Sequence, residues 1–293
     1  RWRYVRRSRV RIYGGSIMCG TCGCADPANE VSMTNPETGV KTILNAALGH
    51  GENQSHDHEH DHHHEGDDKP HMHGPKGEII PLEAAILGKN DKIAAQNRGW
   101  FEGRDVTALN IVSSPGSGKT TLLETTIKML KGEIDLTVIE GDQMTANDAD
   151  RIREAGAKAI QINTGAGCHL EADMVASAAK AIDPKPGSLL MIENVGNLVC
   201  PAMFDLGEKM KVAVISTTEG EDKPTKYPHM FRAVEMVIIN KMDLAAHVDF
   251  DEAACRANIA EVNPNAEIYC VSAKTGDGME AWCARLRELA IKP

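Results

Sequence analysis

The sequence predicts a doubly wound α/β fold on a mostly parallel sheet, and three observations carry that prediction. From about residue 81 onward, short β-branched runs alternate with helical stretches. The runs are apolar almost without a break, as strands covered on both faces must be. The first run leads directly into a glycine-rich turn and then a helix, the order in which such sheets hold phosphate.

Strands are expected over 108–112, 136–139, 159–162, 189–192, 212–215, 236–239 and 268–271. Helices are expected between them over 119–130, 148–154, 170–182, 251–262 and 279–289. Ahead of the first strand, Leu82, Ala85, Ile86 and Ile93 have the spacing of a helical face across 82–97. The bulk numbers agree with a soluble globular chain: 293 residues, 42% hydrophobic and 25% charged. A net charge of −10 argues against a nucleic-acid surface, which wants a basic stripe. No run of about 18 apolar residues exists, so no membrane span is expected.

Upstream of the globular part the composition changes twice. Residues 1–17 hold six arginines and no apolar centre, unlike a secretory signal, and the break at Met18 suggests an extension that is not native. Residues 18–49 begin with Cys19, Cys22 and Cys24 and continue as a polar linker with one apolar run at 43–48. Residues 50–78 carry nine of the twelve histidines, counting His50, interleaved with Asp and Glu. Such a tract has little to bury and is expected to stay disordered. The nucleotide-binding domain is assigned to 79–293.

The most specific motif is Ser113-Ser-Pro-Gly-Ser-Gly-Lys-Thr120. It departs from the phosphate-loop consensus only at its first glycine, here Ser113. Gly116 and Gly118 keep the loop open, and the backbone N–H groups of Ser117 through Thr121 can face a phosphate at a helix N-terminus. Lys119 would reach the β- and γ-phosphates and the Thr120 hydroxyl would ligate Mg²⁺. Asn240-Lys241-Met-Asp243 after one strand and Ser272-Ala273-Lys274 after the next match the guanine-reading loops of GTPases. Asp243 can accept both N–H donors of the guanine edge, a pair that adenine does not offer, so GTP and GDP are favoured over ATP. Asp142 in Glu140-Gly-Asp142 and Glu193 in Glu193-Asn-Val-Gly196 are candidate Mg²⁺ and catalytic carboxylates beside Lys119 and Thr120. Either acid can also be read as a helix cap or a solvated loop residue. No glutamine stands where Ras-like enzymes orient water, so slow intrinsic hydrolysis is expected.

Three features suggest transition metal. Cys19, Cys22 and Cys24 can wrap one soft or borderline ion, and with the terminal amine of Met18 they would suit square-planar Ni²⁺. The alternative is a redox pair, but that motif belongs inside a folded βα unit. Cys168-His169 and Cys200 follow two strands of one parallel sheet and so gather on the nucleotide face. They can be packed core residues, or a tetrahedral Ni²⁺ or Zn²⁺ site one ligand short. The histidine tract is either a solvated linker or a loose store for several ions. Cys255, Cys270 and Cys283 read as small core residues. Clustered thiols of this kind belong in a reducing cytoplasm.

Residues 18–24 and roughly 80–293 resemble the HypB family of hydrogenase nickel incorporation proteins. The shared stretches include Met18-Cys-Gly-Thr-Cys-Gly-Cys24, Asn163-Thr-Gly-Ala-Gly-Cys-His169, Glu193 through Pro201, and Glu219-Gly-Glu-Asp-Lys-Pro224. The resemblance implies a GTPase with a sheet of the signal-recognition and MinD-like type, dimerising around nucleotide. It implies a tight nickel site at Cys19, Cys22 and Cys24 and a weaker Ni/Zn site at Cys168, His169 and Cys200. It also implies nickel loading of the [NiFe]-hydrogenase large subunit precursor together with a HypA-type partner. A urease-type nickel accessory GTPase and a nickel storage protein are the rival readings. The paired thiol sites speak against the first, and the intact Lys119, Thr120, Asn240 and Asp243 against the second.

Overall fold

The computed structural model describes residues 31–35, 38–44, 71–73, 79–142 and 147–290. The extension 1–17, the cysteine head and most of the histidine tract lie outside the described residues.

Among the described residues nine strands, β1 (Ser32–Thr34) and β2 (Lys41–Ile43) among them, form one sheet in the order β11-β10-β9-β5-β8-β6-β7-β1-β2. The central strands are β5 (Val106–Ser113), β6 (Leu136–Asp142), β7 (Lys158–Asn163), β8 (Ser188–Gly196), β9 (Met210–Ser216), β10 (Met236–Asn240) and β11 (Glu267–Cys270). All seven run parallel. The connecting helices are α1 (Leu82–Gly103), α2 (Lys119–Leu130), α3 (Asn147–Ala155), α4 (Ala172–Ile182), α5 (Glu252–Val262) and α6 (Met279–Ala290). Alternate strand residues serve opposite layers. Leu109, Ile111, Val212 and Val214 face α2, α3 and α6, while Ala108, Leu190 and Ile192 join α1 and α4. Ala213, Ile215 and Val237 pack towards α5. Burial on both faces is why the strands are continuously apolar.

Two segments depart from the sequence expectation. The polar stretch read as a linker contains a hairpin, β1 (Ser32–Thr34) and β2 (Lys41–Ile43), that extends the sheet antiparallel to β7. Val31 and Met33 are buried against the cluster that holds Ile160 and Ile162, so two apolar residues suffice to dock it. Strands this short carry too weak a periodicity to be seen in the sequence. Residues 71–73 of the histidine tract form β3 (His71–His73), paired antiparallel with β4 (Ile79–Pro81). Here a backbone ladder, not side-chain composition, makes the strand.

Strand ends also run further than their apolar cores. β8 continues through Glu193 to Gly196 and β6 through Glu140 to Asp142, so these acids stand on strands and not in loops. The parallel register places Glu140 opposite Glu193. Among the described residues, no helix is long and apolar enough to cross a membrane.

Candidate nucleotide and metal site

β5 ends at Ser113 and α2 begins at Lys119, so the glycine-rich turn spans the gap at the C-terminal edge of the sheet. Gly116 and Gly118 both adopt positive φ, 76° and 93°. At Gly118 the reason is doubly steric, because a Cβ there would stand 2.6 Å from Asn240 Nδ2. Gly196 lets β8 pass the turn, since its Cβ would lie 3.1 Å from Pro115 Cα. Lys119 Nζ donates to Ser113 Oγ at 2.8 Å. The hydroxyl of the residue that replaces the usual glycine thus holds the Lys119 ammonium against the turn. Thr121 Oγ1 accepts from Arg151 on α3, at 3.1 Å.

Beneath the turn lie two buried carboxyl groups. Thr120 Oγ1 donates to Glu193 Oε1 at 2.9 Å. Burial pushes the Glu193 carboxyl up, opposed by the Lys119 charge and the Thr120 hydroxyl. Burial, followed by the neighbouring charges of Glu193, Asp142 and Asp148, pushes Glu140 up to about 9. Glu140 Oε2 and Glu193 Oε2 are both buried without a hydrogen-bond partner. Orphaned carboxylate oxygens beside the Thr120 hydroxyl and the half-buried Asp142 form an oxygen donor set of the kind a hard divalent cation takes. The residues present therefore fit Mg²⁺.

The segments matched by sequence to guanine-reading loops close the far side. Asn240 Nδ2 donates to the Ser117 carbonyl at 3.0 Å, and its Oδ1 accepts from the Ala273 N–H at 3.1 Å. One side chain thereby ties the phosphate turn to the segment after β11. Lys241, at φ 61°, donates from Nζ to the Gly116 carbonyl at 2.6 Å. Asp243 Oδ1 accepts from Ser272 Oγ at 2.7 Å, and Lys274 is exposed on the same turn. All six residues singled out for guanine thus stand at the C-terminal ends of β10 and β11.

Cys168, His169 and Cys200 come together at the rim. Their ligating atoms lie within 4.8 Å of one another. Cys168 Sγ is 3.0 Å from Cys200 Sγ and 3.6 Å from His169 Nδ1. The imidazole stacks on Phe204 with ring centroids 3.9 Å apart, and burial lowers its pKa to about 4. A neutral ring with an available lone pair is what metal ligation requires. Its Nε2 is buried without a hydrogen-bond partner and lies 3.9 Å from Glu171 Oε1. A carboxylate so placed would orient a liganding imidazole. Cys168 also lines the cleft of about 500 Å³ formed by the phosphate turn, Glu140, Asp142 and Glu193. The two sites therefore share one wall.

Two participants are not evident from motif spacing. Arg151 lines the same cleft and is held by Glu124 at 2.9 Å and Asp148 at 3.0 Å. The pairing of Glu140 with Glu193 needs the strand register, although the acid spacing in Glu140-Gly-Asp142 hints at it. Cys19, Cys22 and Cys24 lie outside the described residues. Cys255 and Cys283 are buried in the core; Cys270 is half-buried, its sulfur accepting from Arg256 at 3.1 Å.

A parallel sheet whose central strand opens into this turn, with an asparagine at the end of β10 locking it, defines the class: a phosphate-loop nucleotide-binding protein. The CobW/HypB/UreG nucleotide-binding domain matches residues 107–270. The chain belongs to the HypB family of hydrogenase maturation factors. It is 59% identical over 223 residues to the HypB of Rhizobium leguminosarum bv. viciae, covering 76% of this chain and 75% of that one. The Escherichia coli K12 relative is 46% identical over 280 residues, covering 90% and 97%. The crystal structure of Helicobacter pylori HypB in complex with nickel superposes with a TM-score of 0.65 at 39% identity, covering 69% of this chain and 95% of that chain.

Proposed function

We propose that this protein is a GTP-hydrolysing nickel metallochaperone that supplies Ni²⁺ to the [NiFe]-hydrogenase large subunit precursor in the cytoplasm. It would act with a HypA-type partner and as a nucleotide-dependent homodimer. The observation that carries the reading is the shared wall: Cys168 lines the nucleotide cleft, and Cys200 sits four residues beyond the end of the strand that bears Glu193.

Thr120, Asp142 and Glu193 would hold Mg²⁺, which neutralises charge on the β- and γ-phosphate oxygens. Lys119 exchanges Ser113 Oγ for phosphate oxygen, and the backbone N–H groups of Ser117 through Thr121 cradle the rest. Asp243 accepts from the guanine edge while Asn240 fixes the loop. As β8 and the Cys200 turn are one continuous segment, a change at Glu193 is passed to Cys200. Ordering that segment around GTP and releasing it on hydrolysis would alter one ligand of the Cys168/His169/Cys200 set, which takes nickel as cargo or holds zinc.

The test is to titrate Ni²⁺ into the full chain with a nonhydrolysable GTP analogue and with GDP. A difference of about 5- to 150-fold in affinity is the range expected of such coupling. Identical affinities would sink the switch.

A further inference from the structure

β8 carries two polar residues in succession, and the pleat sends them to opposite faces of the sheet. Met191 packs in the layer of α2, whereas Leu190 and Ile192 pack in the layer of α1 and α4. Glu193 accordingly meets Thr120 at the start of α2, while Asn194 faces the segment that leads into α4. Asn194 is 1% exposed, and its Oδ1 accepts from the Leu170 N–H at 3.1 Å and from the Val195 N–H at 3.0 Å. Leu170 directly follows His169.

The Asn194 amide is held in this sense from behind. Its Nδ2 donates to Asn110 Oδ1 at 3.2 Å, and Asn110 Nδ2 donates to Glu208 Oε1 at 3.0 Å. The Lys211 ammonium lies 3.7 Å from Glu208 and donates to the carbonyls of Pro201 and Phe204, at 2.8 and 3.2 Å. Pro201 follows Cys200, and Phe204 carries the ring stacked on His169. Asn110, Glu208 and Lys211 are all buried, and a paired network in a dry interior specifies a single arrangement. Flipping Asn194 would turn its NH₂ group onto two N–H donors.

Leu170 has a second contact. Its fully buried side chain covers Gly141, where a Cβ would lie 2.8 Å from Leu170 Cγ. Gly141 stands between Glu140 and Asp142. Leu170 is thereby seated on both strand tails that carry the acids of the nucleotide cleft, bonded to β8 and packed on β6.

We propose that this seat, formed by Asn194 and Gly141 around Leu170, transmits the nucleotide state to His169, with Asn194 as a positioning residue. A shift of the β8 tail that moves Glu193 carries Asn194 with it on the opposite face, and the Leu170 N–H follows. The imidazole one residue away then moves relative to Cys200, whose own link to Glu193 runs along the chain. The inference rests on the reading of Cys168, His169 and Cys200 as metal ligands under nucleotide control.

The experiment uses the full chain with Cys19, Cys22 and Cys24 replaced by serine, and Co²⁺ as the probe. Thiolate-to-cobalt charge-transfer absorbance reports binding that engages thiols, which the histidine tract cannot mimic. Affinity is measured with GDP and with a nonhydrolysable GTP analogue, each with Mg²⁺. The parent is expected to differ between the two states by about 5- to 150-fold. Asn194→Ala is expected to shrink that ratio by about 2- to 30-fold, the range for residues that carry coupling without touching either ligand. A residue with a merely structural role would weaken Co²⁺ equally in both states. A ratio that Asn194→Ala preserves would therefore overturn the proposal. Leu170→Ala keeps the N–H bond and empties the seat on Gly141. It should shrink the ratio as well, and it decides the matter should Asn194→Ala fail to fold: a preserved ratio there overturns the seat. A parent with equal affinities in both states, or with no charge-transfer band, fails at an earlier step. That result overturns the nucleotide switch or the metal site itself, and the seat with it.

Discussion

Gly118 concentrates two constraints in one position, a φ of 93° and a neighbour 2.6 Å from where a Cβ would sit. Gly118→Ala is expected to destabilise the fold by about 1–3 kcal/mol and to push Asn240 off the Ser117 carbonyl. Thermal denaturation and fluorescent-GDP binding would both register it, and a wild-type profile in both would contradict the packing described. Glu140 makes a prediction about pH. Its carboxyl ionises near 4.5 in the unfolded chain and at about 9 in the fold, so folding takes up a proton between those values. Its contribution to stability is therefore full below pH 4.5 and is lost as pH rises towards 9, by on the order of a few kcal/mol. Glu140→Gln removes the titrating group, so in chelator without nucleotide it should raise the melting temperature at pH 8 and flatten the slope. An unchanged slope would mean that Glu140 ionises in the fold at no cost. In the proposed reading Asp243 sets base choice, its carboxylate taking the two N–H donors of the guanine edge. Asp243→Asn turns one acceptor into a donor and should weaken GDP by at least about a hundredfold while favouring xanthosine diphosphate, which carries a carbonyl in place of the amino group. Competition binding with the two diphosphates would decide it.

At the scale of the element, most of the sheet is legible because apolar runs between helical stretches leave few alternatives. The segments 108–112 and 236–239 fall inside β5 and β10, and the phosphate turn follows from its flanks. What escapes the sequence lies where pairing, not periodicity, decides. The strand tails bearing Glu140, Asp142 and Glu193 are polar, yet they stay in the ladder because their backbone groups have neighbours in β7, β8 and β5. The sulfur and imidazole set is legible as separate motifs, but only the adjacency of β6, β7 and β8 brings Cys168 to 3.0 Å from Cys200. Arg151 escapes altogether, since a helical arginine with two acidic neighbours has no distinctive spacing. The hairpin is held chiefly by Val31 and Met33, both 8% exposed. Met33→Ala should cost about 2 kcal/mol, within the range for truncating a buried side chain. Because it lies at the sheet edge, native-state hydrogen exchange should show β1 and the outer face of β7 opening together while β5 and β8 keep their protection. Uniform loss across the sheet would show that the hairpin is integral to the global unfolding unit.

On the scale of the molecule, the same edge of one sheet carries the phosphate turn, the acidic pair, the base-reading loops and the thiol–imidazole cluster. The layer formed by α2, α3 and α6 contributes a different property. Trp282 on α6 is fully buried and donates from Nε1 to Thr126 Oγ1 at 3.0 Å. Thr126 belongs to α2, the helix that begins at Lys119, and it donates in turn to the Leu122 carbonyl at 2.7 Å. The second described tryptophan, Trp100, is partly exposed under the Arg104 guanidinium, 4.8 Å from its ring centroid. The two indoles therefore emit from unlike surroundings. Trp282 should give blue-shifted fluorescence resistant to aqueous quenchers, and its intensity should respond when nucleotide settles on α2. With Trp2 and Trp100 both replaced by phenylalanine, Trp282 alone emits, and its fluorescence is expected to report nucleotide occupancy without any attached dye.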